Sequence, residues 1–129
     1  MRYAVALLGT VLLAGCNGGT VDRQAFTNDA SAIRSINCEG WLVARAVARG
    51  RVTSTYAREQ AEELRLQAAN LADALARRPT EAGLKRKVRA AGRDAGILAQ
   101  RLQLLRDHPS SGATADALAQ RFRRAGECS

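Results

Sequence analysis

Two stretches on either side of Pro79 carry apolar residues at alternating spacings of three and four, the pattern of helices that pack along a seam. The first seam comprises Ala57, Ala61, Leu64, Ala68, Leu71 and Leu75, and the second comprises Leu84, Val88, Ala91, Ala95, Leu98, Leu102 and Leu105. The hydroxyl residues at 53–55 predict the start of one helix, and Thr80 predicts the start of the next. Because proline cannot continue a helix, the short link between the seams favours an αα-hairpin over an intermolecular coiled coil.

Two further helices are predicted on either side of this hairpin. The helix-starting residues at 27–29 and the stop signal at Gly50 predict a helix over about 29–49. Thr114 predicts the cap of a short fourth helix that ends at Gly126, with an apolar face formed by Ala115, Leu118, Phe122 and Ala125. We therefore predict an all-α fold, a small antiparallel bundle of three long helices plus a short C-terminal helix.

Three glycines lie inside the predicted helices. Gly40 is next to the apolar stripe of the first helix, and Gly92 and Gly96 are next to the seam of the third. Glycine inside a helix costs about 1 kcal/mol relative to alanine, so each position needs a compensating reason. We expect that a neighbouring chain segment packs closely against each of them.

The first 16 residues have the composition of a bacterial secretory signal. Arg2 supplies the positive charge, residues 3–13 are mainly apolar, and small residues precede Cys16. The tetrapeptide Leu13-Ala14-Gly15-Cys16 resembles the lipobox of bacterial lipoproteins. The resemblance implies diacylglyceryl transfer to the Cys16 thiol, cleavage before Cys16, and a mature protein held at a membrane by lipid. The alternative is an ordinary cleaved signal peptide with Cys16 as a free thiol.

This resemblance divides the chain into three parts. Residues 1–15 are the lipoprotein signal peptide, residues 16–27 are the lipidated cysteine and a polar tether, and residues 28–129 are the helical domain. In Gram-negative lipoproteins a residue other than aspartate after the acylated cysteine permits sorting to the outer membrane. Asn17 therefore implies an outer-membrane protein that faces the periplasm, if the host is Gram-negative.

The cysteine count predicts one intrachain disulfide. The chain has three cysteines, and lipidation of Cys16 leaves Cys38 and Cys128 as an even pair in an oxidising compartment. Neither is part of a C-x-x-C motif, which makes a redox pair or a metal site a poorer explanation than a structural disulfide. Trp41, one turn from Cys38, is expected to cover this disulfide rather than to serve as an exposed contact residue.

The charge balance points to an anionic partner. The formal net charge is +8, with 18 arginines and two lysines among the basic residues. The densest cluster comprises Lys85, Arg86, Lys87, Arg89 and Arg93 at the start of the third predicted helix, where it opposes the helix dipole. Candidate partners are anionic lipid, lipopolysaccharide and an acidic envelope protein, and the alternative is a solvated helix surface. Nucleic acid is not expected, because the lipobox implies export and aromatic residues make up only 4% of the chain.

The sequence offers little for catalysis. Its one histidine, His108, precedes a proline at a predicted helix end, and the chain has no G-x-S-x-G, H-x-x-x-H or C-x-x-C-H motif. We therefore predict a protein that is not an enzyme and that holds no metal or cofactor. The favoured hypothesis is a cell-envelope lipoprotein that acts as a structural or protein- or lipid-interaction module. The alternative is a phage or mobile-element lipoprotein, of the outer-membrane spanin type or an entry-exclusion protein.

Overall fold

Helices account for most of residues 19–129, the part of the chain that the computed structural model describes. In chain order the helices are α1 (Arg23–Ala48), α2 (Ser54–Arg77), a short 3₁₀ turn (Ala82–Leu84), α3 (Lys85–Asp107) and α4 (Gly112–Gly126). Within these residues there is no β-strand, and one isolated bridge joins Val21 to Thr80. The predicted all-α bundle of three long helices and one short helix is confirmed.

The bundle consists of two antiparallel helix pairs. Helices α2 and α3 form the predicted hairpin around Pro79, and α4 packs along the C-terminal half of α1. The start of α4 lies close to the end of α1, since a Cβ on Gly112 would be 3.9 Å from the carbonyl oxygen of Ala48. The end of α4 reaches only the middle of α1, where the disulfide joins the two helices.

The predicted seams form the core between the helices. Buried residues of α2 and α3 are Ala57, Ala61, Leu64, Ala68, Leu75, Val88, Ala91, Ala95, Leu98, Leu102 and Leu105. Leu71 and Leu84 are half-buried at the margin of this core. Phe122 of α4 is completely buried, and Asn37 of α1 is buried among apolar neighbours with its Nδ2 donating to the carbonyl of Ile33. All the seam residues predicted from the spacing are therefore buried, except Leu71 and Leu84.

The first helix begins six residues before the predicted start. Asp22 caps α1 by accepting a hydrogen bond from the amide of Ala25, and the Thr27 hydroxyl donates to the carbonyl of Arg23 inside the helix. The prediction that residues 17–27 form a polar tether is therefore wrong for residues 21–27. The start of α1 is set by a tertiary contact of Val21, described below, and not by the helix-starting residues at 27–29.

The starts of α3 and α4 also differ from the predicted positions. Thr80 does not begin α3, because the extended backbone at Glu81 pairs with Val21 and the α-helix starts only at Lys85. Thr114 does not cap α4, because Ser111 accepts the hydrogen bond from the Thr114 amide instead. The predicted face of α4 is buried except for Ala125, which is exposed while Ala119 takes its place in the core.

Glycines mark some of the predicted close approaches. A Cβ on Gly40 would be 3.3 Å from Leu102 and 3.4 Å from Phe122, which confirms the expectation for that residue. Gly126 is more crowded, since its Cβ would lie 2.7 Å from the Cys128 sulfur and 2.9 Å from both Asn37 and Cys38. Gly92 makes ordinary contact with Leu75, and the expectation is wrong for Gly96, which has open space around it.

The predicted disulfide is present. Cys38 and Cys128 are joined by a 2.07 Å S–S bond, with 5.5 Å between their Cα atoms and 90 residues between them in sequence. The bond ties the end of the chain to the middle of α1. Because the disulfide closes a long loop, it lowers the conformational entropy of the unfolded chain. Less entropy is therefore lost on folding.

We expect that replacing both cysteines, Cys38→Ser with Cys128→Ser, lowers the free energy of unfolding by about 2–5 kcal/mol, the effect of removing a long-loop disulfide. Urea denaturation followed by circular dichroism measures the change. The reduced wild-type protein serves as the control and should match the double variant. Equal denaturation midpoints for the oxidised wild type and the double variant would contradict this role of the disulfide.

Gly126 and Gly96 provide a matched pair of helical glycines. We expect Gly126→Ala to lower the free energy of unfolding by about 1–3 kcal/mol, because the added methyl group overlaps the disulfide. Gly96→Ala meets no neighbour and should raise it by up to about 1 kcal/mol through higher helix propensity. Thermal denaturation of the two variants checks both values. The close packing at Gly126 is refuted if both substitutions have the same effect.

Candidate functional site

The predicted lipidation site lies just outside the described residues. Cys16 precedes Gly19, the first described residue, by three positions. Since an extended chain spans at most about 3.6 Å per residue, the Cα atom of Cys16 lies within about 11 Å of that of Gly19. The position of Gly19 on the bundle therefore limits where an anchor on Cys16 could attach.

Backbone hydrogen bonds attach the first described residues to the α2–α3 turn. The amide of Val21 donates to the carbonyl of Pro79 at 2.7 Å, and the amide of Glu81 donates to the carbonyl of Val21 at 3.2 Å. The Val21 side chain is completely buried in the core. The chain thus joins the bundle at the end where α2 turns into α3.

Arg78 also contacts the N-terminal segment and α1. Its Nε donates to the carbonyl of Gly19, and its Nη1 lies 3.4 Å from Asp29 Oδ2 in an ion pair that is largely buried. The position of Arg78 at the C-terminal end of α2 indicates by itself only a cation that interacts favourably with the helix dipole. The contact with Asp29 of α1 has no local sequence signal, because the two residues are 49 positions apart.

The five predicted patch residues lie at this same end of the bundle. We call Lys85, Arg86, Lys87, Arg89 and Arg93 the basic patch, and all five are exposed. They line a shallow open groove on the first turns of α3, together with Ala82 and Gly83 of the 3₁₀ turn. The structure therefore brings the patch and the point where the chain joins the bundle to one end.

The basic patch has a strongly positive environment. None of its members forms an ion pair with another residue of 19–129, where the ion pairs involve Arg34, Arg65, Arg77, Arg78 and Arg106. The first turn of α3 contains no acidic residue, and Leu84 provides no side-chain cap. Because the N-terminal end of a helix is itself positive, the cations and the helix dipole add at this position. The arrangement suits the binding of a multivalent anion.

A second cationic group surrounds Trp41 on α1. The guanidinium carbons of Arg45 and Arg123 lie 5.4 Å and 5.9 Å from the centroid of the indole ring, within the range of cation–π contacts. Trp41 is half-buried and lines a groove that also contains Cys38 and Cys128. The tryptophan thus lies beside the disulfide, as expected, and also links α1 to Arg123 of α4.

An ion-pair cluster links α2 to α3, and this link was not predicted from the sequence. Glu62 accepts hydrogen bonds from Arg65 at 2.7 Å and from Arg106 of α3 at 2.8 Å. The two guanidinium groups, Arg65 first, lower the pKa of Glu62 from 4.5 to about 2. Helical spacing indicates the contact with Arg65, whereas the contact with Arg106 requires the hairpin.

His108 is exposed at the end of α3, and among residues 19–129 no group of three or more His, Cys, Asp or Glu could hold a metal ion. None of the helices in the described part of the chain is long and apolar enough to cross a membrane. Comparison with protein-family models, with curated proteins and with solved structures gives no match for this chain.

We expect that Glu62 makes the stability of the bundle depend on pH in the acid range. Its folded pKa lies below the unfolded value, so the stabilisation is complete above about pH 4.5 and is lost as the pH falls towards 2. Denaturation midpoints between these pH values should fall less in Glu62→Gln than in the wild type. Glu63→Gln removes the charge of an exposed neighbour outside this cluster and should keep the wild-type slope. Identical slopes for Glu62→Gln and the wild type would contradict the ion-pair cluster.

Proposed function

We propose that the chain is a lipid-anchored protein of the bacterial cell envelope that acts as a structural or interaction module. The observation that carries the proposal is the lipobox-like Leu13-Ala14-Gly15-Cys16 at the end of an apolar, uncharged run. Acylation of Cys16 would place diacylglyceryl on the thiol and hold the helical bundle at a membrane. In this proposal the module acts through what the anchored bundle contacts and not through a reaction.

The attachment of Val21 makes the proposed tether short. Only residues 17–20 lie between Cys16 and Val21, which spans at most about 18 Å of extended chain over its five peptide links. The sequence had predicted a longer tether that lets the domain stand away from the membrane. A short tether instead keeps the α2–α3 turn next to the lipid surface, so that the opposite end of the bundle points away from it.

The disulfide supports export. Cys38 and Cys128 lie at disulfide distance and geometry, and such bonds persist in oxidising compartments such as the bacterial periplasm. In a Gram-negative host, Asn17 after the acylated cysteine corresponds to outer-membrane sorting with the bundle in the periplasm. The proposed partners are the membrane itself, through the lipid, and an anionic lipid, lipopolysaccharide or envelope protein at the basic patch.

The anchoring proposal is tested by intact mass spectrometry of the protein purified from bacterial membranes. We expect a chain that begins at Cys16 and carries added acyl mass, and we expect Cys16→Ala to lack this mass and to leave the membrane fraction. The matched control is Cys38→Ser with Cys128→Ser, which removes cysteines outside the lipobox and should keep the acyl mass. A wild-type chain without acyl mass would refute the proposal.

A further inference from the structure

We infer that the basic patch is a membrane-contact surface that binds the anionic phospholipid headgroups around the anchor. The inference rests on the proposed acylation of Cys16 and adds an orientation and a binding partner to it. A lipid anchor at Cys16 and the cations at 85–93 would then act together on one surface. The diacylglyceryl group would supply the anchoring, and a basic surface beside it adds electrostatic attraction to anionic lipid and so orients the bundle on the membrane.

The N-terminal segment joins the bundle close to the start of the basic patch. The hydrogen bonds between Val21 and the α2–α3 turn place the N-terminal segment next to Glu81, four residues before Lys85. Cys16 has only a few residues with which to move away from this point. The acyl chains therefore enter the bilayer close to the first turn of α3, and the patch side chains come within reach of the headgroups.

The same end of the bundle carries a large excess of positive charge. Residues 77–93 contain seven basic residues and one acidic residue, Glu81. Arg77 and Arg78 are paired with Asp73 and Asp29, which leaves the five patch cations for an outside anion. Asp22 already accepts the capping hydrogen bond of α1, and Asp94, which follows Arg93 on α3, forms no ion pair with the patch. The attraction of this surface to anionic lipid acts within about 10 Å at 0.1 M salt, and the short tether allows the patch to approach the membrane to this distance.

The residues that line the groove of the patch favour a lipid surface over a protein partner. Protein interfaces usually have an apolar or aromatic centre inside a polar rim. The groove of the patch is lined by cations, Ala82 and Gly83, without a large apolar side chain. None of the exposed large hydrophobic residues of the described chain lines this groove: Ile97 lies one turn beyond Arg93 on α3, and the others are Leu42, Tyr56, Leu66 and Leu104. A layer of phosphate headgroups fits this surface better than a protein does.

The composition of the chain provides a direct reporter for the contact. Its only two lysines, Lys85 and Lys87, both belong to the patch, so an amine-reactive acetylating reagent modifies side chains at this surface alone. The acylated full-length protein is inserted into vesicles of phosphatidylcholine or of phosphatidylcholine with phosphatidylglycerol. Mass spectrometry then gives the rate of lysine modification in each, and the intact mass of the same sample reports the acyl group on Cys16.

Two charge-reversal variants test whether the contact depends on the patch. Arg86→Glu with Arg89→Glu reverses two patch cations and leaves both lysine reporters in place. The control, Arg49→Glu with Arg51→Glu, makes the same charge change at exposed positions beyond the other end of α1, about 39 Å away along the 26-residue helix. An acidic residue in the first turn of α3 interacts favourably with the helix dipole and stabilises the helix. Loss of membrane contact in the patch variant would therefore not come from unfolding. Circular dichroism confirms the fold of both.

We expect the lysines of the wild type to react about fivefold more slowly on phosphatidylglycerol vesicles than on phosphatidylcholine vesicles. The control variant should keep this ratio, and the patch variant and the wild type at about 1 M salt should lose it. Equal reaction rates on the two vesicle types, with the acyl mass present, would overturn the membrane contact and leave the anchoring intact. Protection that occurs only when an envelope protein is bound would also overturn it, and an unacylated Cys16 would overturn both proposals.

Discussion

The backbone pairing of Val21 with the α2–α3 turn determines how the two halves of the bundle are arranged. It buries Val21, brings Asp22 to the N-cap of α1, and holds Glu81 in an extended conformation, which delays the start of α3 to Lys85. It also sets the end of the bundle at which the chain enters. The proposed anchor, the short tether and the orientation of the basic patch all depend on these hydrogen bonds.

The second constraint is the disulfide, which acts at the opposite end of the chain. Helix α4 is short and packs against α1 with Phe122 in the core and Gly126 against the two sulfur atoms. The long helices α2 and α3 are instead held by their apolar seams and by the Glu62 ion pairs. Both helix pairs are therefore packed through buried side chains, and the pair of α1 and α4 has a covalent link in addition.

Local patterns in the sequence were enough to predict the helices, most of the core and the disulfide pair. The seam residues of α2 and α3, such as Leu64 and Leu98, are buried because their spacing keeps them on one helix face. The starts of α1 and α3 were missed because the contact between Val21 and Glu81 joins residues 60 positions apart. The patch cations were identified from their clustering along the chain. Their position beside the N-terminal segment follows from that same long-range contact and has no local signal.

Amide hydrogen exchange at Val21 and Glu81, followed by nuclear magnetic resonance, tests the account most directly, because both amides donate the hydrogen bonds that join the N-terminal segment to the turn. We expect both amides to exchange much more slowly than free peptide amides, with protection comparable to that of hydrogen-bonded amides inside the helices. Exchange of both amides at the rate of an unstructured chain, with the helices still protected, would contradict it. The N-terminal segment would then be detached from the bundle, and the short tether and the fixed position of the basic patch near the anchor would be lost.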